Sequence, residues 1–346
     1  MKISIGFITY NQSTHKYLKF FIDSLEKSMD EAKKHLSDLS FKFFVVDNSS
    51  HDYCNNYDYL LDYFGSKNNY KIFREENNLG FAKAYNKIIN LSLKEGNNLL
   101  LMLNPDVLLD IDFIKEILFA FNNKKDVAVL APKILYWDFK NNKKTNIIDS
   151  CGVSLNRSHY FFDINQGKED FGNNKDIKEV FGFTGAGALL NLRELVKVAY
   201  NKEYLEFFDE LMFMYKEDID LSYRLQILGA KIFFVPRAIM YHDRTLSKNK
   251  YLNLISFKNR DISRSRSFLN QLIILYKIRK IRFSYKTRFL TLIRFLKIIF
   301  YGLIFEKKQI RKFKEIRLKI DEKHQYLSTN PENIKKIEGF MKGLTY

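Results

Sequence analysis

Five carboxylates fall within Phe208-Asp-Glu-Leu-Met-Phe-Met-Tyr-Lys-Glu-Asp-Ile-Asp-Leu-Ser-Tyr-Arg224, a run otherwise rich in large apolar and aromatic residues. Acids beside so much apolar surface are costly to desolvate unless a cation faces them or a proton has to be taken up. If the segment is helical, Glu217, Asp220 and Arg224 share one face, and the spacing of Asp220 and Arg224 suits a structural ion pair. Asp218 points elsewhere near the helix start and is the best-placed general base, with Asp220 the next candidate. Phe213, Met214 and Tyr215 imply a partly apolar pocket around it; an exposed acidic helix start is the plainer reading. About a hundred residues upstream, Leu101-Met-Leu-Asn-Pro-Asp106 closes a buried-looking strand with a second acidic signal. Hard oxygen ligands at a strand end suit Mg²⁺ or Mn²⁺, which bind through one or two carboxylates plus substrate phosphates. A Pro-Asp turn leaving the strand explains the same residues. One site fit for a metal and one for a base together suggest group transfer from an activated phosphate donor, the ion neutralising the leaving diphosphate.

Three further clusters join these. Asp47 in Asp47-Asn-Ser-Ser50 can accept a hydrogen bond from the imide N–H of uracil or thymine, although an Asx-turn or helix N-cap accounts for it too. Asn77-Asn-Leu-Gly-Phe-Ala-Lys-Ala-Tyr-Asn86 places Gly80 at a helix start, where free amides and Lys83 could face a diphosphate; an ordinary glycine turn and cap is the alternative. Gly182-Phe-Thr-Gly-Ala-Gly-Ala188 lacks the third glycine of the dinucleotide fingerprint, so its glycines let backbone approach a ligand or cross close to the sheet. His242 is structural unless the fold returns it to Asp106, where an imidazole would complete a metal site. There is no G-x-S-x-G, no Cys–His nucleophile pattern and no zinc spacing.

These residues must be positioned by alternating strands and helices. Ile3–Ile8, Phe41–Val46, Tyr70–Phe73 and Asn98–Leu103 read as strands, and residues 15–36 and 80–95 as helices. Strands separated by helices imply right-handed βαβ units and a mainly parallel sheet covered on both faces. The ligand crevice of such a sheet lies beyond the strands' carboxyl ends, where Thr9-Tyr-Asn11, Asp47–Ser50 and Asn104–Asp106 all fall. Residues 137–180, polar with Asn and Lys runs, read as an excursion or mobile loop, and Ala230–Val235 as a late strand stopped by Pro236. The net charge is +17, and residues 251–320 hold 19 Lys and Arg against three acids, so nearly the whole excess lies in that segment. A domain boundary is expected near residue 247, dividing a catalytic domain (1–247) from a basic, amphipathic helical region (248–346). Such asymmetry points to an anionic partner. Between Leu272 and Phe305 no uninterrupted apolar stretch is long enough to span a bilayer. Read as one helix, the region places Arg279, Arg282, Lys286, Arg294, Lys297 and Lys308 on one side, which suits an anionic membrane surface; packing on the protein or on a second subunit is the alternative. Cys54 and Cys151 fit a reducing cytoplasm, and Met1-Lys2 runs too quickly through a short apolar stretch into polar residues for a signal peptide.

In this order, Ile8-Thr-Tyr-Asn11, Val45-Val-Asp-Asn-Ser-Ser50, Asn78-Leu-Gly-Phe81, Leu103-Asn-Pro-Asp106, Gly185-Ala186 and Tyr215-Lys-Glu-Asp-Ile-Asp-Leu221 resemble glycosyltransferase family 2, the inverting nucleotide-sugar transferases of GT-A fold. The likeness spans roughly residues 1–245 and is nearest the rhamnosyltransferase-like branch. It implies a GT-A α/β fold with the helical region appended. Thr9, Asn11 and Asp47 would bind the nucleotide, Asp106 the metal, and Asp218 would be the base. The donor site is expected to include also Tyr10, Asn78, Gly80, Lys83 and Asn104, with His242 beside Asp106 on Mg²⁺ or Mn²⁺ and Gly185, Ala186 and Glu217 on the acceptor side. Asn104 stands where many members carry Asp, leaving one carboxylate for the ion. The implied reaction moves a sugar, L-rhamnose being the branch's suggestion, from a dTDP- or UDP-linked donor to a saccharide or lipid-linked acceptor in cell-surface polysaccharide or glycolipid synthesis. The expected place is the cytoplasm, peripheral on the inner face of the membrane, and a homo-oligomer is compatible. Nucleic-acid binding through the basic region explains the charge but not the ordered acidic motifs, and an inactive scaffold of the same fold is the third reading.

Overall fold

The computed structural model describes residues 1–172, 175–200, 204–244, 254–324 and 330–341. The boundary expected near residue 247 lies outside them. The first half alternates as read: β1 (Lys2–Thr9), α1 (Asn11–His35), β2 (Ser40–Asp47), α2 (Asn55–Phe64), β3 (Tyr70–Arg74), α3 (Gly80–Lys94) and β4 (Leu99–Leu103). β1 lies between β2 and β4, and β2 beside β3, all in parallel. Helix α1 starts four residues earlier than its apolar spacing suggests, at Asn11, where φ is +44°.

β5 (Val107–Leu109), α4 (Phe113–Asn123) and β6 (Val127–Asp138) follow, then β7 (Lys143–Ser150), β8 (Val153–Leu155), β9 (Phe161–Asp163), β10 (Lys178–Glu179) and β11 (Gly187–Asn191). Of the excursion or mobile loop expected over residues 137–180, the described residues form an excursion of short strands. β7 pairs antiparallel with β6, β8 with β9, and Ile148, Cys151, Val153 and Leu155 are buried. α5 (Leu192–Val196) and α6 (Glu217–Ile227) lead to β12 (Lys231–His242), which runs on through Pro236. The register shift between Val235 and Ile239 accommodates the missing N–H, so the proline bends the strand without ending it.

The long sheet has the order β10-β12-β6-β11-β4-β1-β2-β3. β4 is central, and all five of its residues, Leu-Leu-Leu-Met-Leu, are buried because both faces are covered. Leu99, Leu101 and Leu103 face a core shared with α1 and α4, while Leu100 and Met102 face the α3 side. Helix α3 lies so close to β1 that a Cβ on Gly6 would sit 2.6 Å from Ile88.

Four helices complete the chain: α7 (Leu254–Ile278), α8 (Tyr285–Phe305), α9 (Lys307–His324) and α10 (Pro331–Phe340). The basic segment is thus not one helix. It breaks at residues 279–284, and Arg279 pairs with Asp321 while Arg294 lies over the Tyr160 ring. Leu269, Leu272, Ile273 and Leu275 of α7 share a core with Ile219 and Tyr223 of α6 and Phe181. Lys277 of α7 is buried, 2.6 Å from Asp209 and 2.5 Å from Asp220. No helix among the described residues is long and apolar enough to cross a membrane.

Candidate active site

Because β1, β2 and β4 are parallel neighbours, their carboxyl ends deliver Tyr10, Asn11, Asp47 and Asn104 to one edge. Asp47 is fully buried. Its Oδ1 accepts from the Thr9 hydroxyl at 2.8 Å and the Ser49 hydroxyl at 2.6 Å, whereas the buried Oδ2 has no partner among the described residues. A buried carboxylate oxygen left without a donor is costly, and it is what an incoming imide N–H would satisfy. Thr9 is 0% exposed and steadies Asp47 through its hydroxyl. Asn11 accepts the Ser50 amide at 2.8 Å, and Tyr10 stands exposed at the rim.

The start of α3 differs from the expectation. Asn78 accepts the Gly80 amide, and the amides of Phe81 and Ala82 donate to the Phe213 carbonyl at 2.8 and 3.1 Å. These donors are not free for a diphosphate. Gly80 is required there for a different reason: its φ is +73°, and a Cβ would meet the Phe213 oxygen at 2.6 Å. Lys83 remains exposed on the same helix.

β12 settles the place of His242. It pairs with β5 so that His242 lies opposite Val107, and the Asp243 amide donates to the Asp106 carbonyl at 3.1 Å. The imidazole Nε2 lies 3.4 Å from Asp106 Oδ2, and Nδ1 lies 2.9 Å from Asp149 Oδ2. Burial disfavours charge on this ring, but the two flanking carboxylates outweigh it and push its pKa up to about 10. Asp149 is held low despite burial, by His242 and by Arg244 at 2.8 Å. To ligate a metal the ring would have to give up its Nε2 proton, leaving Nδ1–H on Asp149 to orient it, a common metal-ligand arrangement. Asp106 Oδ1 is buried and has no hydrogen-bond partner among the described residues. No group of three His, Cys, Asp or Glu able to hold a metal occurs among the described residues. Two protein ligands nonetheless fit a Mg²⁺ or Mn²⁺ ion that is completed by substrate phosphates. Asp149, with Arg244 and Asp163 behind it, was missed in the sequence because its link to His242 spans 93 residues with no motif.

Asp218 lines a pocket of about 350 Å³ together with Asn104, Gly185, Ala186, Glu217 and His242. Its Oδ2 accepts the Gly185 amide at 2.8 Å and its Oδ1 the Ile219 amide at 2.8 Å. Burial lifts its pKa to about 6, with these two amides pulling the other way. Gly185 thus holds Asp218, and Ala186 fixes the adjoining strand end by accepting the Asn104 amide. Glu217 is buried, with Oε2 unpartnered, and burial followed by the Asp218 charge raises its pKa well above the carboxylate range. Asp220, the expected fallback base, is excluded: Arg224 at 3.0 Å and Lys277 at 2.5 Å lock it in the interior. The segment before Asp218 turns through positive φ at Phe213, Tyr215 and Lys216. Such non-glycine conformations cost about 1–3 kcal/mol each. They are held here by Asn270 of α7, whose amide lies 2.6–2.9 Å from the carbonyls of Met212, Met214 and Tyr215.

The sequence model of glycosyl transferase family 2 matches residues 4–196, more than half of the chain. The chain belongs to glycosyltransferase family 2. Its fold is the GT-A fold. The structure of GalNAc-T7 with UDP, GalNAc and Mn²⁺ is similar at a TM-score of 0.50 and 15% identity, over 70% of this chain and 44% of that one. The chain therefore spans under half the length of that protein. The mannosyltransferase PcManGT from Pyrobaculum calidifontis, in complex with GDP-Man and Mn²⁺, aligns at a TM-score of 0.48 and 13% identity, over 97% of this chain and 79% of that one. No curated protein matches the sequence. In this family 2 chain the Asp218 segment lies beyond the matched span, so its assignment rests on its own geometry.

Proposed function

We propose that this chain is an inverting glycosyltransferase that moves a sugar from a UDP- or dTDP-linked donor to a saccharide acceptor. The observation that carries the reading is the carboxylate Asp218, lifted toward neutral pH on the floor of a pocket shared with Asn104 and His242. Asp218 takes the proton of an acceptor hydroxyl. That oxygen forms a bond to the anomeric carbon as the bond from this carbon to the diphosphate oxygen breaks in line on the opposite side, so configuration inverts and the nucleoside diphosphate leaves. A carboxylate base of this kind contributes about 10²–10⁴-fold. Asp47 Oδ2 would accept the base imide, with Tyr10, Asn11 and Asn78 around it and Lys83 near the phosphates. A divalent cation on Asp106 and His242 would supply Lewis-acid stabilisation to the leaving diphosphate. The UDP and Mn²⁺ named for GalNAc-T7 agree with this donor class. L-Rhamnose as the sugar, and cell-surface polysaccharide or glycolipid as the product, follow from the motif resemblance.

The deciding experiment is donor hydrolysis and transfer with UDP- and dTDP-sugars, with and without Mn²⁺. Release of nucleoside diphosphate with an inverted product supports the reading, and a chain inert to every such donor, or a retained anomer, overturns it. Two variant results are expected alongside. Asp106→Ala should weaken UDP or dTDP binding in Mn²⁺ and abolish the difference that EDTA makes in the wild type. Unchanged nucleotide affinity in this variant, with EDTA without effect on the parent, would remove the ion from the site. The pH profile has a definite sign. Asp218 acts as a base only when ionised, so kcat/KM should rise with pH through about 6 and level off above it. A profile flat from pH 4.5 to 7 would be incompatible with Asp218 in that role.

A further inference from the structure

Helix α8 packs one side against the protein and leaves the other uncovered. Thr287 and Gly302 are buried, and a Cβ on Gly302 would meet Phe268 of α7 and Ile310 of α9 at 2.6 Å. On the outer side Tyr285, Phe289, Leu292, Leu296, Phe300 and Leu303 are 51–90% exposed. At 100° per residue these six lie within an arc of about 80°, so they form one continuous stripe along the helix. An apolar face of this extent on a soluble surface marks an interaction site.

The charge around the stripe selects its partner. α8 carries Lys286, Arg288, Arg294 and Lys297 and no acid. Lys286 and Lys297 border the stripe on one side and Arg288 on the other, all three exposed and without a partner among the described residues. Lys307, Lys308, Arg311, Lys312 and Lys314 of α9 follow, also exposed. Two copies of the chain joined through α8 would bring these cations against one another with no carboxylate of α8 to meet them. An anionic lipid surface satisfies both features, the acyl boundary taking the stripe and the headgroups the rim.

We infer that the outer face of α8 is an in-plane docking surface for an anionic lipid bilayer. The inner side of the helix is tied to α7. Near its C-terminal end, Tyr301 accepts from Arg264 at 2.8 Å and Glu306 accepts from Ser265 at 2.8 Å. A cavity lined by Lys216, Ser267, Tyr301 and Glu306 adjoins the Asp218 pocket, with which it shares Lys216 and Ser267. By the same turn angle Tyr301 lies on the side of α8 opposite the stripe, so this cavity is on the protein side of the helix, away from the docking face.

The test uses the full chain with vesicles of phosphatidylcholine alone and of phosphatidylcholine with phosphatidylglycerol. Flotation should be strong with phosphatidylglycerol at low salt, weaker at high salt, and near background on phosphatidylcholine alone. Leu296→Glu with Phe300→Glu should reduce the bound fraction at least about tenfold. Lys286→Glu with Lys297→Glu, which leaves the apolar stripe intact, should remove most of the salt-sensitive part. Donor hydrolysis without vesicles should be unchanged in both, so loss of membrane binding and loss of catalysis are read separately. The inference fails if the wild type stays off phosphatidylglycerol vesicles at low salt, or if neither variant lowers binding. It fails equally if the free protein sediments as a dimer that Leu296→Glu dissolves, since a second copy would then cover the stripe.

Discussion

Asp218→Asn is expected to lower turnover by at least about 10²-fold while nucleotide-sugar affinity stays within a few-fold of the wild type. An amide keeps the size and one acceptor but cannot take the proton of an attacking hydroxyl. The substitution is not silent locally, because both carboxylate oxygens accept backbone amides, from Gly185 and Ile219, and an asparagine can answer only one of them. Donor binding by calorimetry and the melting temperature therefore accompany the rate. Turnover near normal would take Asp218 out of the reaction and turn attention to Asp163 and His242, which line the same pocket. Asp220 is locked by two cations, and burial followed by the Asp218 charge raises the Glu217 pKa well above the carboxylate range.

The second large effect is on stability. Lys277→Met removes the cation that joins Asp209 and Asp220, and breaking a buried pair from one side typically costs about 3–5 kcal/mol. Lys323, 2.9 Å from Asp209, and Arg224, 3.0 Å from Asp220, keep the site from being wholly uncompensated, so the lower half of that range is expected. Urea unfolding should show the midpoint fall, and a midpoint equal to that of the parent would mean that this cluster does not secure α7. The pH dependence follows from the shifts. Asp209 and Asp220 are held low by Lys277 and its companion cations, against the burial that opposes it. Their contribution is therefore present above the ordinary value of 3.8 and lost as pH falls through their native values. Lys277 is raised by Asp209 and Asp220 despite burial, so its share is complete below 10.5 and disappears as pH rises past its native value. Between those limits the stability difference between parent and variant should be constant.

The sheet was readable where both of its faces are covered. Leu99–Leu103 is apolar throughout, and Phe41–Val46 is so apart from Lys42, because helices lie above and below them. Each motif at their ends has an ordinary turn or cap reading, and it was their occurrence together at the carboxyl ends of neighbouring parallel strands that made them readable. Three features were hidden, each for a physical reason. Residues 137–180 are polar at the surface and apolar only at short, scattered positions such as Ile148, Val153 and Leu155, too few in a row to show a period. The α3 amides looked free because the carbonyl that takes them, on Phe213, is brought there only by the fold. α8 is apolar on both sides, and periodicity cannot say which side a neighbouring helix covers; Phe268 and Ile310 decide that. Asp149 combined all these difficulties, being a distant, isolated carboxylate in a polar stretch.

Asn270 has a consequence for how such a chain can be divided or recombined. The residue belongs to the basic, helical part that composition marks off as an appendage, yet its amide meets three carbonyls of the turn that leads into Asp218, the proposed base. Across that turn, the Phe213 carbonyl holds the first amides of α3 in the nucleotide half. Chemistry and address are therefore not separable parts. A chimera that exchanged the helices after residue 247 for those of a relative, in order to redirect the enzyme to another surface, would inherit a foreign grip on Met212, Met214 and Tyr215. Evolution of a new location in this lineage is then constrained to changes on the outer side of α8 and α9, where nothing touches the base, while the inner side of α7 changes only together with the loop it holds.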